Sequence, residues 1–170
     1  MTVKALAELF EYGYWANRRL FAVMEQLTAE QLTQQIAGGH GSIRNTMVHM
    51  VSAEAGWLDR CGGPNRGPRL KPEDFPTLDS IHSGMEHTRK NVTKFLTELN
   101  EEDLTRRIEF SLNQPETYSL RLGELMQHAG LHGVHHRGQI ALLLRLLGYT
   151  PGNFDILLFY LEKSAPPAKR

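Results

Sequence analysis

The chain has 170 residues, enough for one domain whose core needs no disulfides. Its 19 basic and 19 acidic residues balance, which removes the electrostatic case for nucleic acid as a partner. A single cysteine, Cys61, excludes an internal disulfide and a cysteine-based zinc knot, and it suits a reducing cytoplasm.

From the N-terminus, MTVKALAELFEYGYW lacks the apolar core and small-residue cleavage site of a secretory signal, and it reads as the start of a helix. Helix one is predicted from Val3 to Leu27, with Leu6, Phe10, Gly13, Asn17, Leu20, Met24 and Leu27 along one stripe. Helix two follows Ser42 as N-cap and runs to Arg60, with Ile43, Met47, Met50, Glu54 and Trp57 on its stripe. Residues 60–76 form a long Gly/Pro-rich loop carrying Arg60, Arg66, Arg69 and Lys71. It either covers a site and attracts an anion, or is a solvated crossover. Helix three is predicted over Leu78–Leu99. The stretch 107–119 has two β-leaning runs around Asn113–Gln114–Pro115–Glu116, and reads as a loop or a small hairpin. Helix four spans Ser119–Leu147 with Gly148 as its C-cap, and a short tail helix covers Phe154–Glu162. No apolar run approaches the ~20 residues of a membrane helix, so no membrane partner is expected. The pattern predicts an all-α fold, one domain over residues 1–170: a four-helix bundle with a long crossover loop.

Helix four carries the chemistry. Four of the eight histidines fall between His128 and His136. His128, His132 and His136 are successive i, i+4 steps, with His135 and Gln139 between them. The wheel places this row beside Leu125, Leu142, Leu143 and Leu146, on the face expected to pack inward. A buried imidazole with no partner costs on the order of 1–3 kcal/mol, and a shared divalent cation removes that cost. Hydrogen-bonded core histidines, or a solvent-facing strip, are the plain alternative. Gly130, Gly133 and Gly138 weaken this helix by ~1 kcal/mol each, and admit either a close neighbour or a ligand.

Helix two offers His49, which lies off its helix's apolar stripe on a flank with Thr46, Ala53 and Gly56. Periodicity leaves it between a surface imidazole and a ligand. Glu54 falls at the stripe centre, where a carboxylate needs a partner. It is a candidate for orienting a ligand imidazole, for acting as a general base, or for an internal ion pair, with the ion pair favoured. Asn17 is expected to bond to a neighbouring helix, and Arg137 to pair with an acid at the surface.

These segments resemble the DinB/YfiT-like family. The resemblance runs through Tyr14-Trp15-Ala16-Asn17-Arg18-Arg19-Leu20, Ser42 to Met50 with Glu54 and Trp57, His128 to Ile140, and Leu147-Gly148-Tyr149-Thr150-Pro151 with Asp155. It implies an up-down four-helix bundle, often homodimeric, with a metal held by three histidines: His49, His132 and His136. His128 and His135 match family positions that are not the usual ligands. His128 is then a packing or supporting residue, and His135 an exposed or partner-facing one. The family includes transferases and isomerases that use bacillithiol, mycothiol or glutathione, and many members with no assigned activity.

Three neutral imidazoles would leave a divalent ion with open positions, whether Zn²⁺ or Ni²⁺ (favoured), Fe²⁺ or Mn²⁺. The expected function is a metal-dependent thiol S-transferase acting on a small-molecule substrate with a low-molecular-weight thiol as cosubstrate. A hydrolase using bound water, with Glu54 as base, is the first alternative. A non-catalytic metal-binding or stress-associated dimer is the second, and a fourth protein ligand would favour it. Cys61, alone in a loop, is expected to be inert or incidental.

Overall fold

The computed structural model describes residues 1–64, 69–112 and 115–165. Its order is α1 (Val3–Met24), α2 (Ala29–Thr33), α3 (Ile43–Arg60), α4 (Leu78–Glu98), β1 (Arg107–Ser111), β2 (Thr117–Arg121), α5 (Leu122–Leu146) and α6 (Ile156–Ser164). Thr2, Ser42, Thr77 and Asp155 cap the first turns of α1, α3, α4 and α6 by accepting from backbone N–H groups. Gly148, at φ +88°, ends α5: its N–H and that of Tyr149 donate back to the carbonyls of Arg145 and Leu144.

Helix α5 packs against α1 and α3, and α4 closes the ring against the same two. The 61–77 connection, expected to be the crossover, instead joins the neighbours α3 and α4. The α1-to-α3 and α4-to-α5 connections join helices across the bundle, and these carry α2 and the hairpin. In the hairpin β1 and β2 pair antiparallel, Ile108 opposite Leu120. The hairpin consumes residues expected to open helix four, so α5 starts at Leu122 instead of Ser119. Its expected turn residues Asn113 and Gln114 lie outside the described residues. No helix among the described residues is long and apolar enough to cross a membrane.

The core within the bundle falls into two apolar halves, and a third, smaller cluster of Tyr12, Trp15, Ala16 and Phe159 joins α6 to α1. One half gathers Leu6, Phe10, Leu58, Phe95, Leu122 and Met126. The other gathers Leu20, Met24, Met47, Ile81, Ile140 and Leu144. Between them, at mid-height on every bundle helix, sit polar groups: Tyr14 and Asn17 on α1, Glu54 on α3, Thr88 on α4, and His132, His136 and Arg137 on α5. A polar waist through an apolar bundle is costly unless its groups are paired or bind something.

The buried face of α5 is Leu122, Gly123, Leu125, Met126, Ala129, Gly130, His136, Arg137, Ile140, Ala141, Leu143 and Leu144, so Leu125 and Leu143 lie inside as expected. It is rotated from the face expected from the sequence. Leu142 and Leu146, expected inside, are 56% and 61% exposed. The histidine row runs along the edge of the buried face. His128 and His135 are exposed, His132 is half-buried and His136 is buried. Leu131, Val134, Leu142 and Leu146 form an exposed apolar strip on the opposite side of the helix. A helix apolar on both sides is expected to be covered on both.

Candidate metal centre

His49 projects from α3, and His132 and His136 from successive turns of α5. Their Nε2 atoms meet: that of His132 is 3.3 Å from His49 Nε2 and 3.1 Å from His136 Nε2. Two donors each 2.0–2.1 Å from one ion, at angles between octahedral and tetrahedral, lie roughly 2.9–3.4 Å apart. The observed spacings fit that range. Hydrogen bonding accounts for the arrangement less well, because a neutral imidazole has one N–H and His132 Nε2 faces two nitrogens.

The third turn of the site fixes a tautomer. His136 Nδ1 donates to Gln139 Oε1 at 2.7 Å, so the ring proton sits on Nδ1 and the Nε2 lone pair is free to face the other two rings. The Gln139 amide nitrogen in turn lies 3.1 Å from His135 Nε2. Gln139 therefore orients a candidate ligand and does not serve as one.

Burial, together with the neighbouring rings, lowers the basicity of the cluster. His49 and His132 are each pushed down to about 4, first by desolvation and then by adjacent imidazoles. His136 is lowered by desolvation, against the opposing effect of Gln139. At pH 7 these rings are neutral, the state a cation requires.

A fourth ring joins them. His40 stacks on His49 with centroids 3.9 Å apart, and ring nitrogens of His40, His49 and His136 lie within 4.8 Å of one another. Sequence periodicity had no means of finding His40, because it is exposed and belongs to the Gly38–Gly41 loop, not to a helix. Its one signal is position, two residues ahead of the Ser42 cap. Asn45 Nδ2 donates to the His40 carbonyl at 3.2 Å and ties the loop to α3.

His128 packs beside the cluster: its ring lies 5.8 Å from that of His132 and meets Trp57 edge-on at 4.9 Å, and Trp57 meets Phe110 of the hairpin at 5.5 Å.

Glu54 accepts from the Tyr14 hydroxyl at 3.0 Å. Among the described residues this bond takes the place of the ion pair favoured from the sequence. Glu54 is partly exposed as a residue, yet its carboxyl end is enclosed, and desolvation raises it to about 7 against the opposing effects of Tyr14 and Arg137. Tyr14 is itself held well above its ordinary range by burial and by the Glu54 carboxylate. Glu54, Tyr14, Asn17, Thr88 and His132 line a cavity of about 20 Å³, room for one water molecule.

Arg137 corrects the expectation of a surface pair. It is 3% exposed, and its Nη1 donates to Asn17 Oδ1 at 3.3 Å and to the Gly13 carbonyl at 3.5 Å. The room it occupies comes from two glycines: a Cβ on Gly133 would lie 2.9 Å from Arg137 Nη1, and one on Gly13 3.5 Å from it. Asn17 is thus paired across to α5, as expected. Cys61, expected in the loop, is instead the buried C-cap residue of α3, and burial pushes its thiol up to about 11, far from a ready nucleophile. Arg60 folds back to the Gly56 carbonyl and over Trp57, away from the cluster. Arg66 lies outside the described residues.

The bundle and its convergent imidazoles define a helical protein with a histidine cluster, His40, His49 and His136 among its members, that could hold a metal ion. The DinB family model matches residues 1–167, and the chain belongs to the DinB family. It is similar to Protein DinB of Bacillus subtilis (strain 168), 24% identical over 161 residues that cover 89% of this chain and 92% of that one. It is also similar to the uncharacterized protein YizA of the same organism, 23% identical over 146 residues, covering 86% and 90%. A DinB-like protein from Bacillus cereus ATCC 10987 shares the fold, with TM-score 0.70, 23% identity and coverage of 89% of this chain and 97% of that one.

Proposed function

We propose that this protein is a divalent-metal-dependent thiol S-transferase, with His49, His132 and His136 as the metal ligands. The observation that carries the reading is His132 Nε2 lying 3.3 Å from His49 Nε2 and 3.1 Å from His136 Nε2, with the His136 tautomer set by Gln139. A divalent ion held by neutral imidazoles, Zn²⁺ or Ni²⁺ before Fe²⁺ or Mn²⁺, would keep open positions and supply Lewis acidity that favours deprotonation of a thiol.

The chain's own residues do the rest. The three rings hold their lone pairs inward without adding charge. Glu54 shares a one-water cavity with His132, and its carboxyl, raised to about 7, suits proton transfer near neutral pH. It is the candidate catalytic residue, taking the thiol proton directly or through a water for which that cavity has room. The sulfur then bonds to an electrophilic carbon as the leaving group departs with its electron pair. A low-molecular-weight thiol is the cosubstrate, since the chain's own Cys61 is buried and protonated. Such a thiol and a free cysteine both belong in the cytoplasm.

The test is conjugation of chlorodinitrobenzene with bacillithiol, mycothiol, glutathione or coenzyme A. Metal-loaded protein turns over with at least one of them, and chelation abolishes it. No turnover with any of the four overturns the transferase reading.

We also assign the exposed apolar strip of α5, Leu131, Val134, Leu142 and Leu146, to a homodimer. It lies opposite the core face of the same helix. Light scattering should give twice the chain mass for the wild type and the single chain mass for Leu142→Glu. A wild-type monomer overturns this assignment.

A further inference from the structure

Outside the His40–His49 pair the surface opens into a cavity of about 300 Å³, at the lower end of the size range for small-ligand pockets. Its lining includes His40, His49 and Ser52 and, from within the 61–77 connection, Arg69 and Lys71. The remaining lining includes the short apolar surface of Val48, Leu70 and Pro72. No Asp or Glu lines it among the described residues. Asp74 accepts from the Lys71 backbone N–H at 3.1 Å, closing the turn that follows. Asn45 also borders the cavity, but its amide is engaged with the His40 carbonyl and its oxygen with Arg44, so the charged donors available to a ligand are Arg69 and Lys71.

We infer that this cavity binds a short-chain organic acid bearing a carboxylate, which Arg69 and Lys71 hold while its other end points at His49. The inference rests on the proposed metal site for what that other end meets: a carboxylate-bearing thiol presents its sulfur to the histidine cluster. Two cations over an apolar floor recognise charge at one end and a carbon skeleton in the middle. The pocket selects among thiols by the acid group, not by the sulfur. The surface position of both cations makes the selection sensitive to salt.

Calorimetry tests this with three probes: mercaptosuccinate, the neutral monothioglycerol, and succinate, which has no thiol. Metal content is assayed on the same samples. Wild-type protein should bind mercaptosuccinate at least tenfold more tightly than monothioglycerol. The double variant Arg69→Gln/Lys71→Gln should lose that preference, and keep its metal content and its affinity for monothioglycerol. Raising the salt from 50 to 500 mM should shrink the preference in the wild type alone. Equal affinities in the wild type, or a preference that survives in the double variant, overturns the inference. Should the wild type prove to carry no metal, the thiol reading fails and succinate decides the pocket. Tighter binding of succinate to the wild type than to the double variant sustains it, and equal or undetectable binding overturns it.

Discussion

Metal-free protein given Zn²⁺ or Ni²⁺ at a thousandfold above its dissociation constant should melt about 8–16 °C higher. An ion that binds only the folded chain adds ~4 kcal/mol at that ratio, and a domain of this size gains ~2–4 °C per kcal/mol. The unfolded chain cannot bring residues 49, 132 and 136 together, so nearly all of the binding energy appears as stability. Differential scanning calorimetry checks it, with His136→Ala as control. The gain should hold into mild acid and fade only as pH falls to about 4, where the rings take up protons. His49 and His132 titrate near 4 in the fold against 6.5 for an ordinary imidazole. The unfolded chain therefore binds more protons between those values, so the metal-free protein itself loses stability as pH falls through that window. An unchanged melting point with every divalent ion would remove the site.

Glu54→Gln should stabilise the metal-free protein at pH 8 and leave it nearly unchanged at pH 5. The folded carboxyl sits at about 7 against an ordinary 4.5, so folding favours its neutral form. Between those values the native state binds the extra proton, and stability falls as pH rises. This is the reverse of the histidine effect, and it acts through one group where the histidines act through several. Above pH 7 ionised Glu54 costs on the order of 2 kcal/mol, at 1.36 kcal/mol per pKa unit and reduced for its partial exposure. Glutamine avoids that cost, and its oxygen can still accept from Tyr14. Thermal melts of both proteins at pH 5 and pH 8 measure it. A Glu54→Gln protein that is less stable at pH 8 would mean the carboxylate is ionised and held by a cation in the fold. The same substitution is expected to slow thiol conjugation, since it removes the proposed proton acceptor.

The fold was largely legible because its signals are local. Ser42 caps α3, Gly148 ends α5, and helical periodicity places four long helices within a few residues of where they lie. The hairpin was visible as two β-leaning runs. What the wheel misjudged was the rotation of α5. That helix is apolar on two sides, so periodicity offered two faces, and the histidine row lies at the border between them. Leu142 and Leu146 were assigned inward for that reason, although they face out.

The site divides in the same way. His132 and His136 were legible from i, i+4 spacing, whereas His49 needed the family resemblance, because its own helix places it on a flank. Arg137 was not legible as a buried residue. The space for its head comes from glycines on two different helices, Gly13 on α1 and Gly133 on α5, a tertiary coincidence that no single-helix wheel contains. His40 was invisible because a loop has no period. Its approach to His49 follows from positive-φ glycines on both sides of it, Gly39 and Gly41, which let the loop turn back over α3.

The central claim is that rings from α3 and α5 grip one cation, and elemental analysis of purified protein tests it most directly. Wild type should carry close to one equivalent of a divalent transition metal. His132→Ala should carry almost none. His40→Ala should keep most of its metal, since His40 is exposed and held by a loop. Metal-free wild type that stays empty after incubation with Zn²⁺, Ni²⁺, Fe²⁺ or Mn²⁺, or a His132→Ala variant as fully loaded as wild type, would contradict the account.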